Sequence, residues 1–314
     1  MSVVGSRARA TSPGGTSRRH TNPPRGRTDT SGLLFVAPAV LLVGIFALYP
    51  LAISLFMSFM DWDGLTGVRE FIGVANYQWA FTDDAALTSL RNFALFALIT
   101  IPLQMAIGVA IAIGLRGSRS VGRVVRAAYF MPVVLAPVMV GMVFSQLMEA
   151  SNGPINTALR AIELGGIAPN WLGDPSIALV SVALVNVWMW TGFSMAIYQA
   201  GLDSVPEEVI EAARVDGASG FALVRHMFLP LLRPSHFSLI ILGTISSLKG
   251  FDLVYVLTRG GPADSSHLPT TYMLKVGFEL FEQGRASAVA VLIFVIAMLI
   301  TAVQLRVYRR RGER

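Results

Sequence analysis

The 314-residue chain contains no cysteine. Disulfide bonds and thiolate-bound metal sites are therefore excluded. Charged residues are also scarce, at 14% of the chain, whereas hydrophobic residues make up 54%. A water-soluble globule of this length could not be covered by so little polar surface, so the composition indicates a membrane protein.

Lysine is nearly absent, and neither Lys249 nor Lys275 follows a Gly-x-x-x-x-Gly run. The chain therefore has no phosphate-binding loop of the Walker A type. No nucleophile with a matching base is apparent, and His226 and His236 have no carboxylate at ligand spacing. We expect no catalytic residue, no metal site and no cofactor bound by this chain, which is not predicted to be an enzyme.

Long uncharged runs, in contrast, recur six times along the chain. A hydrocarbon core is crossed by about 20 apolar residues, and each run except the fifth reaches that length. The runs cover residues 33–59, 93–115, 127–148, 177–200, 236–248 and 286–305. The fifth reaches full length only by continuing through Lys249 and Asp252 to residue 257. Because backbone groups find no water in lipid, the sequence predicts an all-α membrane protein with six transmembrane helices.

The two ends of the chain are rich in arginine. Residues 1–32 combine arginine with Ser, Thr, Gly and Pro, which predicts a disordered basic tail rather than a cleaved signal peptide. Most Lys and Arg residues lie in this tail, at the C-terminus, and in two of the segments that connect the apolar runs: the one after the second run and the one after the fourth. The positive-inside rule then places both termini, including a short tail at 311–314, in the cytoplasm of a cell-membrane protein. This charge suits anionic lipid, and no nucleic-acid partner is needed to explain it.

The connection between the fourth and fifth runs, residues 203–233, predicts two short helices, and we call it the elbow. Pro206 suits a first helical turn, and the first helix should run to about Val215. Gly217 can adopt the left-handed conformation that ends a helix. A second helix should then run to about Met227 before Pro230 stops it.

The elbow resembles the EAA loop of permeases from binding-protein-dependent ATP-binding-cassette (ABC) importers, in particular the carbohydrate-uptake branch that handles maltose and glycerol phosphate. The residues that carry the resemblance are Glu211, Ala212, Ala213, Asp216, Gly217, Ala218, Leu229 and Pro230. The resemblance implies the type I importer permease fold over residues 33–310. It also implies that the elbow is a coupling helix, which docks on an ATPase subunit. Gly260, Gly261 and Pro262 are similar to an external loop of the family.

The resemblance also implies partners. A six-helix subunit of this family works with a second homologous permease, two ABC ATPase subunits and an extracytoplasmic solute-binding protein. ATP and magnesium would bind to the ATPase subunits.

The fourth run offers candidate residues for a solute pathway. Helical spacing places Asn186, Met189, Trp190 and Phe193 on one stripe. A buried amide needs a hydrogen-bond partner, and an aromatic ring offers a flat apolar face like that of a pyranose. Ordinary helix packing is the alternative interpretation of this stripe. Resemblance to maltose-type permeases favours the sugar site, although Trp190 stands where a small residue is common.

The fifth run contributes further candidates, since the resemblance implies that Ser246, Ser247 and Gly250 face the pathway. Lys249 and Asp252 either form an ion pair at i, i+3 spacing or contact the solute. A lysine there would suit a phosphorylated solute such as a glycerol phosphate ester. We therefore predict the import of a sugar or sugar derivative, with such an ester as the alternative. An ion-gradient transporter would need midplane carboxylates and inverted repeats, and the chain offers only Asp252.

Overall fold

The computed structural model describes residues 30–118, 121–165 and 168–312. Most of the basic tail predicted at 1–32 therefore lies outside the described residues. The first helix already begins at Thr30, so the disorder predicted for residues 30–32 is wrong. At the other end, the last helix runs to Gly312, beyond the predicted boundary at residue 310.

Helices dominate the described residues. In chain order they are α1 (Thr30–Val43), α2 (Tyr49–Met57), α3 (Ala75–Ala80), α4 (Asp84–Gly114), α5 (Val121–Val134), α6 (Pro137–Leu147), α7 (Pro154–Ala161), α8 (Ala178–Asp203), α9 (Glu207–Val215), α10 (Gly220–Leu223), α11 (Leu229–Leu231), α12 (Arg233–Leu248), α13 (Asp252–Leu257), α14 (Pro269–Leu274) and α15 (Gln283–Gly312). Three π-helical turns lie at Gly44–Leu48, Val224–Phe228 and Lys275–Glu279. One small antiparallel hairpin pairs β1 (Met60–Asp61) with β2 (Glu70–Phe71).

Contacts divide the chain into two units, and the boundary along the chain lies between Pro50 and Leu51. The described part of the first unit is α1 with the π-helical turn at Gly44–Leu48. Its apolar side chains are exposed, as for Phe35 and Phe46. A helix with apolar side chains on all sides suits a lipid environment.

Four helices of the described chain are long and apolar enough to cross a membrane. They are Phe35–Met57, Asp84–Gly114, Ala178–Asp203 and Gln283–Arg310, and they correspond to the first, second, fourth and sixth predicted runs. Two bent helix pairs add a further span each if each pair counts as one crossing. The chain therefore has between four and six candidate spans.

The third predicted run is broken rather than continuous. Gly122–Val134 and Pro137–Leu147 meet at 98°. Proline disfavours the helical conformation in the residue before it, and Ala136 is indeed extended. Pro137 then occupies the first turn of α6, where its missing N–H has no cost. The prediction of one uninterrupted helix over residues 127–148 is therefore wrong.

The fifth predicted run is also interrupted. The 65° bend between Gly220–Leu231 and Arg233–Leu248 precedes this run, but α12 ends within it, before Lys249. The break at Gly250 is stabilised because the Thr270 hydroxyl donates a 2.7 Å hydrogen bond to the Gly250 carbonyl. The predicted continuation through Lys249 and Asp252 as one helix is therefore wrong, since Asp252 begins the separate helix α13.

Helices α4 and α8 pack closely along their length. A side-chain carbon at Gly108 of α4 would lie within 3 Å of Ser194 and of the Met195 backbone on α8. Glycine at this position therefore allows the two backbones to approach. The C-terminal ends of α4 and α8 and the start of α12 meet the elbow, and we call this the elbow end; the opposite end is the far end.

Candidate functional site

The first elbow helix forms as the sequence predicts. Helix α9 runs from Glu207 to Val215, directly after Pro206. Glu207 and Glu208 lie in its first turn, where carboxylates interact favourably with the helix dipole. Arg116, near the end of α4, lies 3.4 Å from the Glu207 carboxylate and stacks over the Phe228 ring. The elbow is thereby tied to α4.

Gly217 ends α9 with a Schellman motif. Its φ is +86°, a left-handed conformation that disfavours any side chain. The Ala218 N–H donates to the Ala213 carbonyl at 2.9 Å, and the Gly217 N–H donates to the Arg214 carbonyl at 3.0 Å. These two bonds are the defining pair of the motif. The predicted role of Gly217 in helix termination is confirmed.

The second elbow helix does not stop at Pro230. It continues from Gly220 to Leu231 through the π-helical turn at Val224–Phe228. The Leu229 N–H reaches back five residues to the Val224 carbonyl. This wider turn accommodates Pro230, which lacks an N–H and would clash in a regular helix. The predicted end at about Met227, with a stop at Pro230, is therefore wrong: the helix runs four residues further, and the change of direction occurs at Leu232.

Buried apolar side chains anchor the elbow to the spans. Ile210 is fully buried, and Leu223, Phe228 and Leu232 are nearly so. We call the buried set the anchor cluster; its members are Ala112, Met195, Tyr198, Leu202, Ile210, Leu223, Phe228, Leu232 and Leu239. Met105 and Phe193 pack against it from the α4 and α8 sides. The elbow and the helix ends are thus joined by an apolar contact.

The outer surface of the elbow exposes large apolar side chains. Val215 is 87% exposed and Phe221 is 76% exposed. Glu211, Ala212, Asp216 and Gly217 of the motif are exposed too. By contrast, Ala213, Ala218, Leu229 and Pro230 are partly buried, and the two alanines pack against the anchor cluster. The motif therefore has an outward part and an inward part.

A cavity of about 150 Å³ lies between α4, α8 and α12. Five predicted pathway residues line it: Asn186, Trp190, Phe193, Ser246 and Ser247. Gln104 of α4 lines it as well, and its side-chain amide donates a 2.9 Å hydrogen bond to the Asn186 side-chain oxygen. The sequence interpretation missed Gln104, although Gln104 and Thr100 are the two uncharged polar side chains of the second apolar run.

A second cavity, of about 350 Å³, shares Asn186, Trp190 and Ser246 with the first. The other pathway candidates of the fifth run also line this cavity; they are Lys249, Gly250 and Asp252. The two cavities therefore adjoin, with uncharged residues towards the elbow end and both charges towards the far end.

Met189 does not line either cavity. It is 1% exposed and belongs to a core cluster with Val185, Leu248 and Val254. In α8 it is one residue before Trp190, and the helical turn directs it into the packing between helices. The expectation that Met189 lies on the pathway stripe is therefore not supported.

Lys249 and Asp252 form no ion pair with each other, and neither has an ion-pair partner among the described residues. The helix that would bring them to i, i+3 spacing ends at Leu248. Both side chains are exposed towards the second cavity. The ion-pair interpretation is therefore wrong for this structure.

The predicted external loop is ordered by its own hydrogen bonds. Gly260 has a φ of +83° and packs against the His267 ring. The Ser266 hydroxyl donates to the Gly261 carbonyl at 2.6 Å. Asp264 lies 2.6 Å from Lys275 and 3.3 Å from His267. Burial lowers the pKa of His267, a shift that the Asp264 carboxylate opposes, so the ring is neutral at neutral pH.

Comparison with known proteins gives a consistent result. The family described as "binding-protein-dependent transport system inner membrane component" matches residues 104–313. A probable ABC transporter permease protein of Pyrococcus horikoshii is 32% identical over 85% of this chain and 92% of its own length. The sulfoquinovosyl glycerol transport system permease protein SmoG of Agrobacterium fabrum is 31% identical over 89% and 90%.

The fold is also similar to a solved structure. That structure is a bacterial ABC transporter involved in the import of the acidic polysaccharide alginate. The TM-score is 0.78 over 90% of this chain and 96% of the other, at 20% identity. At this identity the similarity shows a shared fold.

Proposed function

Because the chain belongs to the family of binding-protein-dependent transport system inner membrane components, we propose that it is the permease subunit of an ABC importer for a sugar or sugar derivative. The matched residues include the elbow and most of the residues that line the two cavities. A full-length relative is named for the transport of sulfoquinovosyl glycerol. Family membership and several apolar helices make the chain a multi-pass membrane protein, and they argue against an ion-gradient transporter.

The proposed topology has six crossings: the four long helices, the bent pair Gly122–Val134 with Pro137–Leu147, and a fifth crossing formed by α12 and α13. The basic connections then share a side with both termini and with the elbow. The positive-inside rule makes that side cytoplasmic. The elbow is thereby placed where an ATPase subunit can reach it.

The observation that carries the proposed coupling is the two-sided elbow. Its exposed face offers Val215, Phe221 and Glu211, a mixture of apolar and charged groups suited to a protein groove. Its buried face reaches the spans through Ile210 and Phe228. A force on the exposed face would therefore act directly on the helix ends.

That force would also reach the first cavity. Met105 and Phe193 contact the anchor cluster, and both line the cavity. Displacing the elbow would therefore move two walls of the cavity. In the proposed mechanism, ATP-driven closure of two ATPase subunits, which bind ATP and magnesium, switches the cavity between two accessible states.

The cavity itself supports a polar solute with apolar faces. Asn186, Gln104 and Ser246 provide hydrogen-bonding groups, and Trp190 and Phe193 provide aromatic surface. At about 150 Å³ the first cavity is below the roughly 300–1,000 Å³ of a typical ligand pocket. A second homologous permease would supply the missing wall, and a solute-binding protein would deliver the solute at the far end.

The coupling proposal is tested with a matched pair of glycines. Gly217 and Gly73 both have a positive φ and no neighbour at the side-chain position, but of the two only Gly217 lies in the elbow. The assembled transporter carrying Gly217→Ala should lose most of its solute-stimulated ATP hydrolysis, because strain in the Schellman motif displaces the docking surface. Gly73→Ala should retain it, and both should insert in the membrane. Equal ATPase activity in the two variants would contradict the coupling role.

A glycerol phosphate ester remains a second candidate solute because Lys249 lacks an ion-pair partner and lines the second cavity. Lys249→Gln should then reduce uptake of glycerol 3-phosphate while sparing that of a neutral disaccharide. Reduced uptake of both would remove the reason for this candidate.

A further inference from the structure

Helices α4 and α8 are joined inside the first cavity by a pair of amide side chains. The Gln104 Nε2 donates to the Asn186 Oδ1 at 2.9 Å and also approaches the Asn186 carbonyl oxygen at 3.3 Å. We call Gln104 and Asn186 the amide pair. Both side chains are partly buried, and both line the cavity.

The bond within the amide pair uses only half of its hydrogen-bonding capacity. Because Gln104 donates to Asn186 Oδ1, the Asn186 amide is held in one orientation. The Gln104 Oε1 acceptor and the Asn186 Nδ2 donors form no other hydrogen bond with the described residues. A polar group in an apolar region is costly unless a partner satisfies it. The pair therefore presents one acceptor and two donors side by side.

We propose that Gln104 is a solute-binding residue and that the amide pair binds two neighbouring hydroxyl groups of an uncharged sugar. One hydroxyl donates to Gln104 Oε1, and the other accepts from Asn186 Nδ2. The Trp190 ring, which lines the same cavity, lies beside them as an apolar face for the sugar ring. This inference rests on the proposed function and specifies the substrate class of its site.

The amide pair selects by hydrogen-bond pattern, because neither side chain carries a charge. A solute with two adjacent hydroxyls fits both the acceptor and the donors. A solute lacking one of those hydroxyls leaves an amide group unsatisfied, and sites that recognise hydroxyls discriminate strongly against such analogues.

A purely structural role for Gln104 makes a different prediction, and the chain offers a matched control for it. Gln304 of α15 donates a 3.0 Å hydrogen bond to the Thr244 hydroxyl of α12. It is likewise a glutamine that links two transmembrane helices, but it lines neither cavity. Gln304→Ala therefore removes an interhelical amide bond without touching the solute site.

The experiment uses the assembled transporter in proteoliposomes, with its ATPase subunits and solute-binding protein. The radiolabelled probes are lactose, diacetylchitobiose and glycerol 3-phosphate. Uptake and stimulated ATP hydrolysis are measured for the wild type, Gln104→Ala, Asn186→Ala, the double variant and Gln304→Ala. A further variant exchanges the two amides, combining Gln104→Asn with Asn186→Gln.

We expect uptake of a neutral sugar to fall about tenfold in each single alanine variant, while ATP hydrolysis stays within about twofold. The double variant should be no worse than either single variant, since the two amides act as one unit. The exchange variant should recover part of the uptake, and Gln304→Ala should resemble the wild type.

Parallel losses of uptake and ATP hydrolysis, or an equal loss in Gln304→Ala, would show that Gln104 only joins helices. Wild-type uptake of glycerol 3-phosphate alone would overturn the uncharged-sugar class but leave the importer in place. The absence of ATP-driven uptake for all three probes would overturn the proposed substrate class together with this inference. Failure of the coupling role is detected separately, by Gly217→Ala.

Discussion

The elbow end and the far end of the helices differ in the contacts that dominate their packing, although the elbow end also has the Arg116–Glu207 ion pair and the far end a small apolar cluster around Val276. At the elbow end, Ile210 and Phe228 pack into an apolar cluster. At the far end, the Asn92 side chain donates to the Ser265 and His267 carbonyls at 2.8 and 3.0 Å. Tyr272 there donates to Asp83 at 2.5 Å. Apolar contacts tolerate sliding, whereas hydrogen bonds between fixed groups do not.

This difference assigns a mechanical role to each end. An apolar joint can transmit a push and still adjust its packing, as a coupling element requires. A hydrogen-bonded end keeps its loops in one arrangement, as a docking surface for a folded partner requires. Substitutions at each end test whether its packing depends on these contacts.

The largest effect is expected from Ile210→Ala at the elbow end. Removing a fully buried aliphatic side chain leaves a cavity and should lower stability by about 2–5 kcal/mol. Ile210→Val should cost only about 0.5–1.5 kcal/mol. Thermal unfolding of the purified transporter in detergent measures both. Equal midpoints for the two variants would show that the anchor cluster does not hold the elbow.

Asn92→Ala at the far end should have the next largest effect. It leaves two backbone carbonyls without their donor, which should cost about 1–3 kcal/mol. Asn152→Ala, at an exposed asparagine whose side chain makes no hydrogen bond, is the control and should change stability by less than about 0.5 kcal/mol. If Asn92→Ala matched this control in thermal unfolding, the far end would not depend on its hydrogen bonds.

A smaller effect is expected from pH at the far end. Because burial lowers the pKa of His267 from its usual 6.5, the unfolded chain binds a proton more readily than the folded one. The free energy of unfolding should therefore decrease as the pH falls below about 6.5. Asp264 favours the charged ring and Lys275 disfavours it, while Thr271 hydrogen-bonds to it.

His267→Gln should remove this part of the pH dependence. Unfolding midpoints of the variant and the wild type, compared at about pH 8 and about pH 5.5, provide the measurement. A wild-type midpoint that rises on acidification, relative to the variant, would contradict the assignment.

The smallest effect on stability is expected on the exposed face of the elbow. Val215→Ser and Phe221→Ser alter exposed side chains and should change stability by less than about 0.5 kcal/mol. Solute-stimulated ATP hydrolysis should nevertheless fall, because these side chains form the proposed docking surface. Val68→Ser, at a similarly exposed apolar residue in the β1–β2 hairpin segment, is the control. Normal hydrolysis in the elbow variants would contradict docking through this face.

Local chemistry made much of this structure predictable. Four of the six apolar runs coincide with helices long and apolar enough to cross a membrane, and Pro206 and Gly217 give the limits of α9. Five pathway candidates line the first cavity: helical spacing grouped Asn186, Trp190 and Phe193, and the family resemblance indicated Ser246 and Ser247.

The remaining features depend on contacts between distant segments. The break at Gly250 is stabilised by Thr270, twenty residues away, and the run itself signals it only through the charge of Lys249 and the glycine that follows. Met189 and Trp190 are neighbours whose different surroundings follow from the packing of α13 and α4 around α8. Gln104 becomes a site residue only through its bond to Asn186, 82 positions later in the chain.

The glycines of α8 show how little freedom this helix has to vary. Gly192 abuts the Tyr129 backbone of α5, and Gly201 abuts Leu232 and Ser235. Gly108 of α4 packs against Ser194 and Met195 of the same helix. A methyl group at Gly192 or Gly108 would meet backbone atoms and separate a pair of helices, whereas at Gly201 it would meet side-chain atoms that can move. In a library that samples every substitution along α8, Gly192 should be the position where even alanine is rejected, and the surviving sequences would outline the route of this helix through the protein.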